Sequence, residues 1–475
     1  MTAEATALQE QAAPEQAGTD RFDAIVIGAG QAGPGVAAGL AGEGHRVAIV
    51  EMDRVGGTCL NHGCKPTKAL RASAVVAHQA RRAADYGVHT GEVTVDFGAA
   101  IARVHRIIAD QVQGLEDYLE STENLQLVHG RATLTTDPTG VEHRVQVGER
   151  TLVASQVYLN VGARSSAPPI SGLDTVDFLT EVELLNLEQL PEHLVVIGGG
   201  YLGCEFGQMF RRFGSQVTIV ASGGLAARED RDVSQILADL FAAEGIHVVD
   251  GRSASVARSE DGVQVRLEDD STITGSHLLL AIGRRSNSDL LGEHGLETDE
   301  RGFFVTDGRF QTSVPGVWAL GDVNGRGAWT HTSYQDAQIL MAPPRSADGR
   351  ITTYAMFTDP PLGRVGMSNQ QARESGRRVL KAEVSMERVS RAVLESETTG
   401  VMRILVDADT EEVLGATILG LQADDVIQVL GMAMQGGVPY PVLRDALPIH
   451  PTMAEYIPSI LSSLQPLDAG ESDTP

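Results

Sequence analysis

Apolar positions along the chain form short β-branched runs separated by glycine turns and helical stretches, and this arrangement occurs twice. The first run, Asp23–Ile27, leads into Gly28-Ala29-Gly30-Gln31-Ala32-Gly33 and a helical stretch to about Glu43. A second run, Arg46–Val50, then ends on Glu51. The other copy starts at Leu194–Ile197, turns through Gly198-Gly199-Gly200-Tyr201-Leu202-Gly203 and returns as the strand Gln216–Val220. Towards the C-terminus, apolar strands at Met402–Val406 and Val413–Leu419 precede helical stretches at Ala423–Met434 and Met453–Leu464. Pro458 is expected to kink or split the last of these. No run reaches the roughly 18 apolar residues needed to cross a membrane.

Strand, G-x-G-x-x-G turn, helix, strand and terminal acid together make a dinucleotide-binding unit. The glycines let the backbone approach a pyrophosphate at a helix N-terminus, and the acid accepts hydrogen bonds from an adenosine ribose. In the first copy these residues are Gly28, Gly30, Gly33 and Glu51; in the second they are Gly198, Gly200 and Gly203. Glu51 lies 23 residues after Gly28, and the same count from Gly198 falls on Ala221, so the second copy lacks the acid. Its absence removes the repulsion that excludes a 2′-phosphate. Ser222 and Arg228 are candidate donors to that phosphate, which favours NADPH, with NADH as the alternative.

Composition narrows the remaining choices. A chain of 475 residues allows about two to four domains. The net charge of −26 argues against nucleic-acid or anionic-membrane binding, since both require a basic surface. The first 20 residues have no basic start followed by an apolar stretch, so a disordered leader is expected there rather than a signal peptide. Three cysteines are too few for a secreted disulfide scaffold, and a cytoplasmic location is expected.

Two of those cysteines stand close together in Gly56-Gly57-Thr58-Cys59-Leu60-Asn61-His62-Gly63-Cys64-Lys65-Pro66-Thr67-Lys68, directly after the first dinucleotide unit. No further cysteine or close histidine set completes a metal site, so no metal is expected. A pair of unreactive core thiols is one reading. The other is a disulfide that opens and closes to exchange two electrons. Two nucleotide units beside such a pair suggest a relay in which a reduced nicotinamide passes a hydride to a flavin and the flavin reduces the disulfide.

The segment Gly56–Lys68 resembles the redox-active motif of the flavoprotein disulfide reductases. Gly316-Val317-Trp318-Ala319-Leu320-Gly321-Asp322 is similar to their second flavin motif, and His450-Pro451-Thr452-Met453-Ala454-Glu455 to their C-terminal His-Glu dyad. The resemblance covers nearly all of residues 21–465. Pro360–Gly366 and Ala227–Asp230 bring it closest to the branch of mercuric reductase and dihydrolipoamide dehydrogenase. It implies an α/β chain with two Rossmann-like domains, for FAD and NAD(P), and a C-terminal α+β dimerisation domain. Cys64 would be the charge-transfer thiol and Cys59 the interchange thiol that attacks substrate. Lys68 would sit near the flavin, paired with Glu205; Gly57, Thr58 and Asp322 would contact FAD; Tyr201 would cover the nicotinamide pocket, and Gly283 would close that domain. His450, oriented by Glu455, would act as acid–base from the other subunit of an obligatory homodimer.

The resulting expectation is an FAD-dependent NAD(P)H:disulfide oxidoreductase acting on a small disulfide. The division is a leader at 1–20, an FAD-binding domain at 21–165, an NAD(P)-binding domain at 166–285, a return to the FAD or central fold at 286–350 and a dimerisation domain at 351–475. Alternatives are a dihydrolipoamide dehydrogenase, a mercuric-reductase-like enzyme, a cysteine-independent quinone or acceptor reductase, or a redox-sensing flavoprotein with little turnover. The last cysteine is Cys204, expected to be a small buried hydrophobe, so the C-terminal cysteine pair of mercuric reductases is missing. Three departures stand out: Lys65 after Cys64, either tuning that thiol or facing solvent; His62 between the cysteines, either a proton donor or a surface residue; and Asn160-Val161-Gly162 in place of the usual A-T-G turn.

Overall fold

The computed structural model describes residues 19–467, which fall into two compact units. Among the described residues the first comprises 19–57, Val112–Ala163 and Ser286–Ala347, and the second Thr58–Gln111, Arg164–Arg285 and 348–467. Residues 1–18 of the expected leader lie outside the described residues. Thr19 and Asp20 correct that expectation: they belong to a strand, Thr19–Arg21, paired in parallel with Thr151–Val153.

The first unit is built on a parallel sheet with strand order Val317–Ala319, Gln156–Leu159, Ala24–Ile27, Val47–Glu51, Leu125–His129. Ala24–Ile27 and Val47–Glu51 are buried along their whole length, which explains their unbroken apolar sequence. Helix Gly33–Gly42 packs on this sheet and against helix Thr330–Met341. A four-stranded sheet containing Thr19–Arg21 continues the core, which includes Ile25, Val50, Leu152, Leu159 and Phe304.

The second unit repeats the motif in a parallel sheet ordered His247–Asp250, Gln216–Ala221, His193–Ile197, His277–Leu280. Helix Tyr201–Phe213 leaves its glycine turn and packs against helix Cys64–Arg81. The unit also holds an antiparallel sheet of Thr353–Met356, Leu362–Gly366, Val413–Leu419, Val401–Asp407, Val379–Ser385 and Gln465–Pro466, with helix Ala423–Gln435 against it.

The last helix differs from the periodicity reading, since it covers only Tyr456–Leu461. Pro458 is therefore in the first turn, where a missing N–H breaks no intrahelical bond, and it neither kinks nor splits the helix. Glu455 is the residue immediately before this helix. Among the described residues no helix is long and apolar enough to cross a membrane.

Candidate active site

The first glycine turn is set by steric necessity. Gly28 has φ +102°, and a Cβ there would lie 2.3 Å from the Asn160 carbonyl oxygen. A Cβ on Gly33 would lie 2.1 Å from the Gly28 oxygen, so the helix can start this close to the strand only without one. Asn160 fastens the arrangement: its Oδ1 accepts from the Gly33 N–H at 2.9 Å and its Nδ2 donates to the Leu320 oxygen at 3.1 Å. The departure at Asn160-Val161-Gly162 thus has a structural role that the sequence did not disclose. Glu51 is buried, with Oε2 accepting from the Ala29 N–H at 2.8 Å and Oε1 from the Asp53 N–H at 3.0 Å.

Asp322 lies half-buried in the short turn Gly321–Asn324. Asp336, which sequence reasoning missed, organises that turn. Its Oδ2 accepts from the Gly321 N–H at 2.8 Å and from Asn324 Nδ2 at 3.0 Å. A helix that begins on a glycine-rich turn, a buried acid at a strand end and a second carboxylate-bearing turn in the same unit fit an adenine dinucleotide such as FAD.

Gly57–Asn61 and Cys64–Arg81 are consecutive helical segments broken at Gly63, where a Cβ would meet the Thr58 oxygen at 2.9 Å. No disulfide joins Cys59, which is half-buried, to Cys64, which is exposed. Cys204 is fully buried, and burial pushes its thiol up to about 12, so it stays protonated and inert. One turn beyond Cys64, Lys68 Nζ donates to Glu205 Oε2 at 2.8 Å and lies 4.2 Å from the centre of the Phe357 ring. Glu205, on the helix after the second glycine turn, also accepts from the Phe357 N–H at 2.9 Å. Lys65 turns towards Gln111, donating to its Oε1 at 2.5 Å.

The second glycine turn has the same steric logic: Gly198 has φ +119°, and its Cβ would lie 2.4 Å from the Ala281 oxygen. Tyr201 opens the following helix, nothing lies within 4 Å of a Cβ at Gly200, and Gly283 has φ +118°. The companion strand ends at Ala221. Ser222 accepts from Arg252 Nε at 3.1 Å, and the Gly223 N–H donates to Asp250 Oδ1 at 2.9 Å. Arg228 is exposed. Arg252, 30 residues beyond Ser222, is thus the cation that meets the expected phosphate-binding hydroxyl.

His450 and Glu455 come together as the dyad pattern anticipates, with Nδ1 2.8 Å from Glu455 Oε2. The imidazole is 76% exposed and the carboxylate 10%, so the acid is a buried anchor and Nε2 is the outward nitrogen. Leu447 and Ile449 beside it are 98% and 79% exposed, an apolar surface of the sort that a partner covers. Among the described residues no group of three or more His, Cys, Asp or Glu is arranged to hold a metal.

Comparison with known proteins agrees with this geometry. The family model of the pyridine nucleotide-disulphide oxidoreductases matches residues 22–337, and the model of their dimerisation domain matches residues 352–460. The chain is 34% identical over 456 residues to the probable pyridine nucleotide-disulfide oxidoreductase RclA of Escherichia coli, covering 93% of this chain and 99% of the relative. Against a mercuric reductase of Streptomyces lividans it is 33% identical over 448 residues, covering 92% and 94%. The solved structure of the E. coli HOCl-induced flavoprotein disulfide reductase RclA superposes with a TM-score of 0.83 at 33% identity, covering 93% and 99%. The chain therefore belongs to the pyridine nucleotide-disulphide oxidoreductases, flavoenzymes that use FAD and a pyridine nucleotide.

Proposed function

We propose that this enzyme is a homodimeric, cytoplasmic FAD-dependent NADPH:disulfide oxidoreductase that reduces a small disulfide through Cys59 and Cys64. The observation that carries the reading is the placement of the two thiols on adjacent helical segments, with the Lys68–Glu205 ion pair one turn further on. The flavin, when bound, supplies the cysteine pair with the two electrons delivered by the coenzyme. The proposed division remains FAD domain 21–165, NAD(P) domain 166–285, return segment 286–350 and dimerisation domain 351–475.

In the reduced pair, the Cys59 thiolate attacks one sulfur of the substrate, R–S–S–R. A Cys59–S–R bond forms, the substrate S–S bond breaks, and the departing thiolate takes a proton from His450 of the partner subunit. Cys64 then attacks Cys59 Sγ, releasing the second thiol and closing the Cys59–Cys64 disulfide. Two electrons and two protons are consumed. Glu455 supports the dyad by holding Nδ1, which leaves Nε2 to handle the proton. At the coenzyme, Ser222 and Arg252 are the proposed 2′-phosphate donors, in place of Ser222 and Arg228; Ala221, at the position of the missing acid, supports the same preference.

Cys59→Ser should abolish disulfide turnover while leaving flavin reduction by NADPH within about two-fold of normal. Anaerobic titration followed in the visible spectrum, with a disulfide panel afterwards, reads both. Disulfide turnover retained in that variant would sink the mechanism and redirect the electrons to a cysteine-independent acceptor.

A further inference from the structure

Ala227–Asp230 and Pro360–Gly366, the two stretches that bring the sequence closest to one branch of its family, meet in the second unit. Arg364 Nη1 donates to Glu229 Oε2 at 2.7 Å and lies 3.9 Å from Asp230 Oδ2. The arginine stands on the strand Leu362–Gly366, and both side chains of the pair are buried. Tyr354, on the adjacent strand Thr353–Met356, donates its hydroxyl to Glu229 Oε1. Burial, and after it the charge and hydrogen bond of Glu229, push the phenol well above its ordinary range, so it stays protonated and acts as the donor. Asp230 is held as closely: Oδ2 accepts from Arg403 Nη1 at 2.9 Å, and Oδ1 from the Asn369 N–H at 3.1 Å. Arg403 also donates to Asp232 and, at 2.6 Å, to Glu383 Oε2.

These acids end the segment that begins with Ser222. It leaves its strand at Ala221 and enters the helix Arg231–Ala243 after Asp230. On the way it is pinned to the second glycine turn: the Ala226 N–H donates to the Gly199 oxygen at 2.7 Å, and a Cβ at Gly199 would stop 2.8 Å from the Gly224 oxygen. Gly223 and Gly224 have φ of +85° and +87°, where glycine turns freely. Ala226, at φ +47°, occupies a left-handed conformation that a residue with a Cβ keeps only when its surroundings impose it. One end of the segment is thus seated on the glycine turn, and the other is fixed by buried arginines of the antiparallel sheet. Burying an ion pair gains little stability, because desolvation offsets the attraction, but it fixes one arrangement of the groups it joins.

We propose that Arg364, with Tyr354, is a positioning residue for the coenzyme: by holding Glu229 it keeps residues 222–230 seated on the second glycine turn, ready for the adenosine end of the nucleotide. The sheet that the dimerisation-domain model covers then acts on coenzyme affinity through Glu229. This role rests on the reading of the second glycine turn as the coenzyme site.

The test is calorimetric titration of the oxidised, FAD-loaded enzyme with adenosine 2′,5′-bisphosphate and with 5′-AMP, the adenosine end with and without its 2′-phosphate. Tyr354→Phe/Arg364→Lys keeps the charge balance of the network and removes the phenol hydrogen bond and the guanidinium fork. Its Kd for the tighter-binding nucleotide should rise about ten-fold, as expected when the seated conformation falls to about a tenth of the population. Tyr354→Phe alone should raise it by about three-fold or less. The coenzyme concentration that half-saturates flavin reduction should rise in step, with the saturated rate within about two-fold of normal. Trypsin should cut faster after the exposed Arg228, and saturating nucleotide should slow the cut. An unchanged Kd in the double variant overturns the proposal, as does a rise accompanied by equal losses of saturated rate and flavin, the mark of general loosening. A wild type that binds neither nucleotide removes the coenzyme reading of the turn and the proposal with it. A wild type that binds, beside an unaffected variant, removes only the role of Arg364.

Discussion

The two glycine turns are near copies in backbone and differ in what surrounds them. A Cβ at Gly28 or Gly198 would stop 2.3 or 2.4 Å from the carbonyl oxygen of the next strand, and both glycines have positive φ. In the first turn that neighbouring residue is Asn160, whose side chain binds the turn; in the second it is Ala281, which contributes only backbone. At the companion strand's end, Glu51 is buried and bonded to the turn, whereas the second strand stops at Ala221 and continues into the exposed Ser222 beside Arg252. Steric exclusion thus fixes a shape common to both turns, and side chains from distant strands set them apart; under the proposed function the first turn holds the resident cofactor and the second the exchanging coenzyme.

The strongest way to break this comparison is to fill the turns. Gly28→Ala and Gly198→Ala each force a Cβ onto a backbone oxygen and a non-glycine residue into positive φ, a strain of about 1–3 kcal/mol before the clash is counted. Gly28→Ala should lose most of its flavin on desalting, seen as a fall in the flavin-to-protein absorbance ratio of more than about ten-fold. Gly198→Ala should keep its flavin and raise the KM for the coenzyme by about ten-fold or more. Loss of flavin from the second variant would show that the two turns are not functionally separate.

Replacing Asn160 by Ala gives the first turn the chemistry of the second. It strands the buried Gly33 N–H and the Leu320 carbonyl, at about 1–3 kcal/mol for each unsatisfied group. Thermal unfolding of the apoprotein should register the loss, and Ala281→Asn, where no such partners are bonded, should give no matching gain. Equal effects at both positions would remove the distinction.

These residues also show what a sequence can disclose. Gly28, Gly198 and the Cys59/Cys64 spacing are legible because their constraints act over a few residues. The Asn160 bond to Gly33 spans 127 positions, and Arg252 reaches Ser222 across 30, so neither leaves a local pattern. Arg228 was the nearer cation in sequence and Arg252 is the one in contact, because parallel strands bring residues from successive crossovers side by side. The same reasoning covers Asp336 at the Gly321 turn. The start of the last helix at Tyr456 was hidden for a different reason: apolar periodicity continues back through Met453 and Ala454, whose carbonyls accept only i+3 turn bonds before the helix begins.

Arg252→Ala sharpens the comparison at the strand end. A charge-assisted contact to a 2′-phosphate is absent for NADH, so the KM for NADPH should rise by about ten-fold while that for NADH changes less than about two-fold. The same variant should leave flavin content untouched. Arg228→Ala, an exposed residue, should change the ratio of the two coenzymes little. A larger effect from Arg228 than from Arg252 would reverse the assignment.

The smallest effect is expected at the base of the two sheets, where the copies again diverge. Asp23 Oδ2 accepts from the Arg46 N–H at 2.7 Å beneath the first turn, and at the matching place in the second His193 Nε2 lies 2.9 Å from Thr218 Oγ1. Burial lowers the His193 imidazole below its ordinary 6.5, helped by His247 and opposed by the Thr274 backbone and Glu192. A histidine kept neutral in the fold binds its proton more readily in the unfolded chain. Its contribution is therefore complete above pH 6.5 and declines as the pH falls through 6.5 towards the depressed folded value. Lowering the pH from about 7.5 to 5.5 should thus increase proteolytic nicking of the second unit's parallel sheet more in the wild type than in His193→Gln. The first unit's parallel sheet should give the same digestion pattern in both proteins, and equal pH sensitivity of the second unit's sheet in the two would remove His193 as the cause.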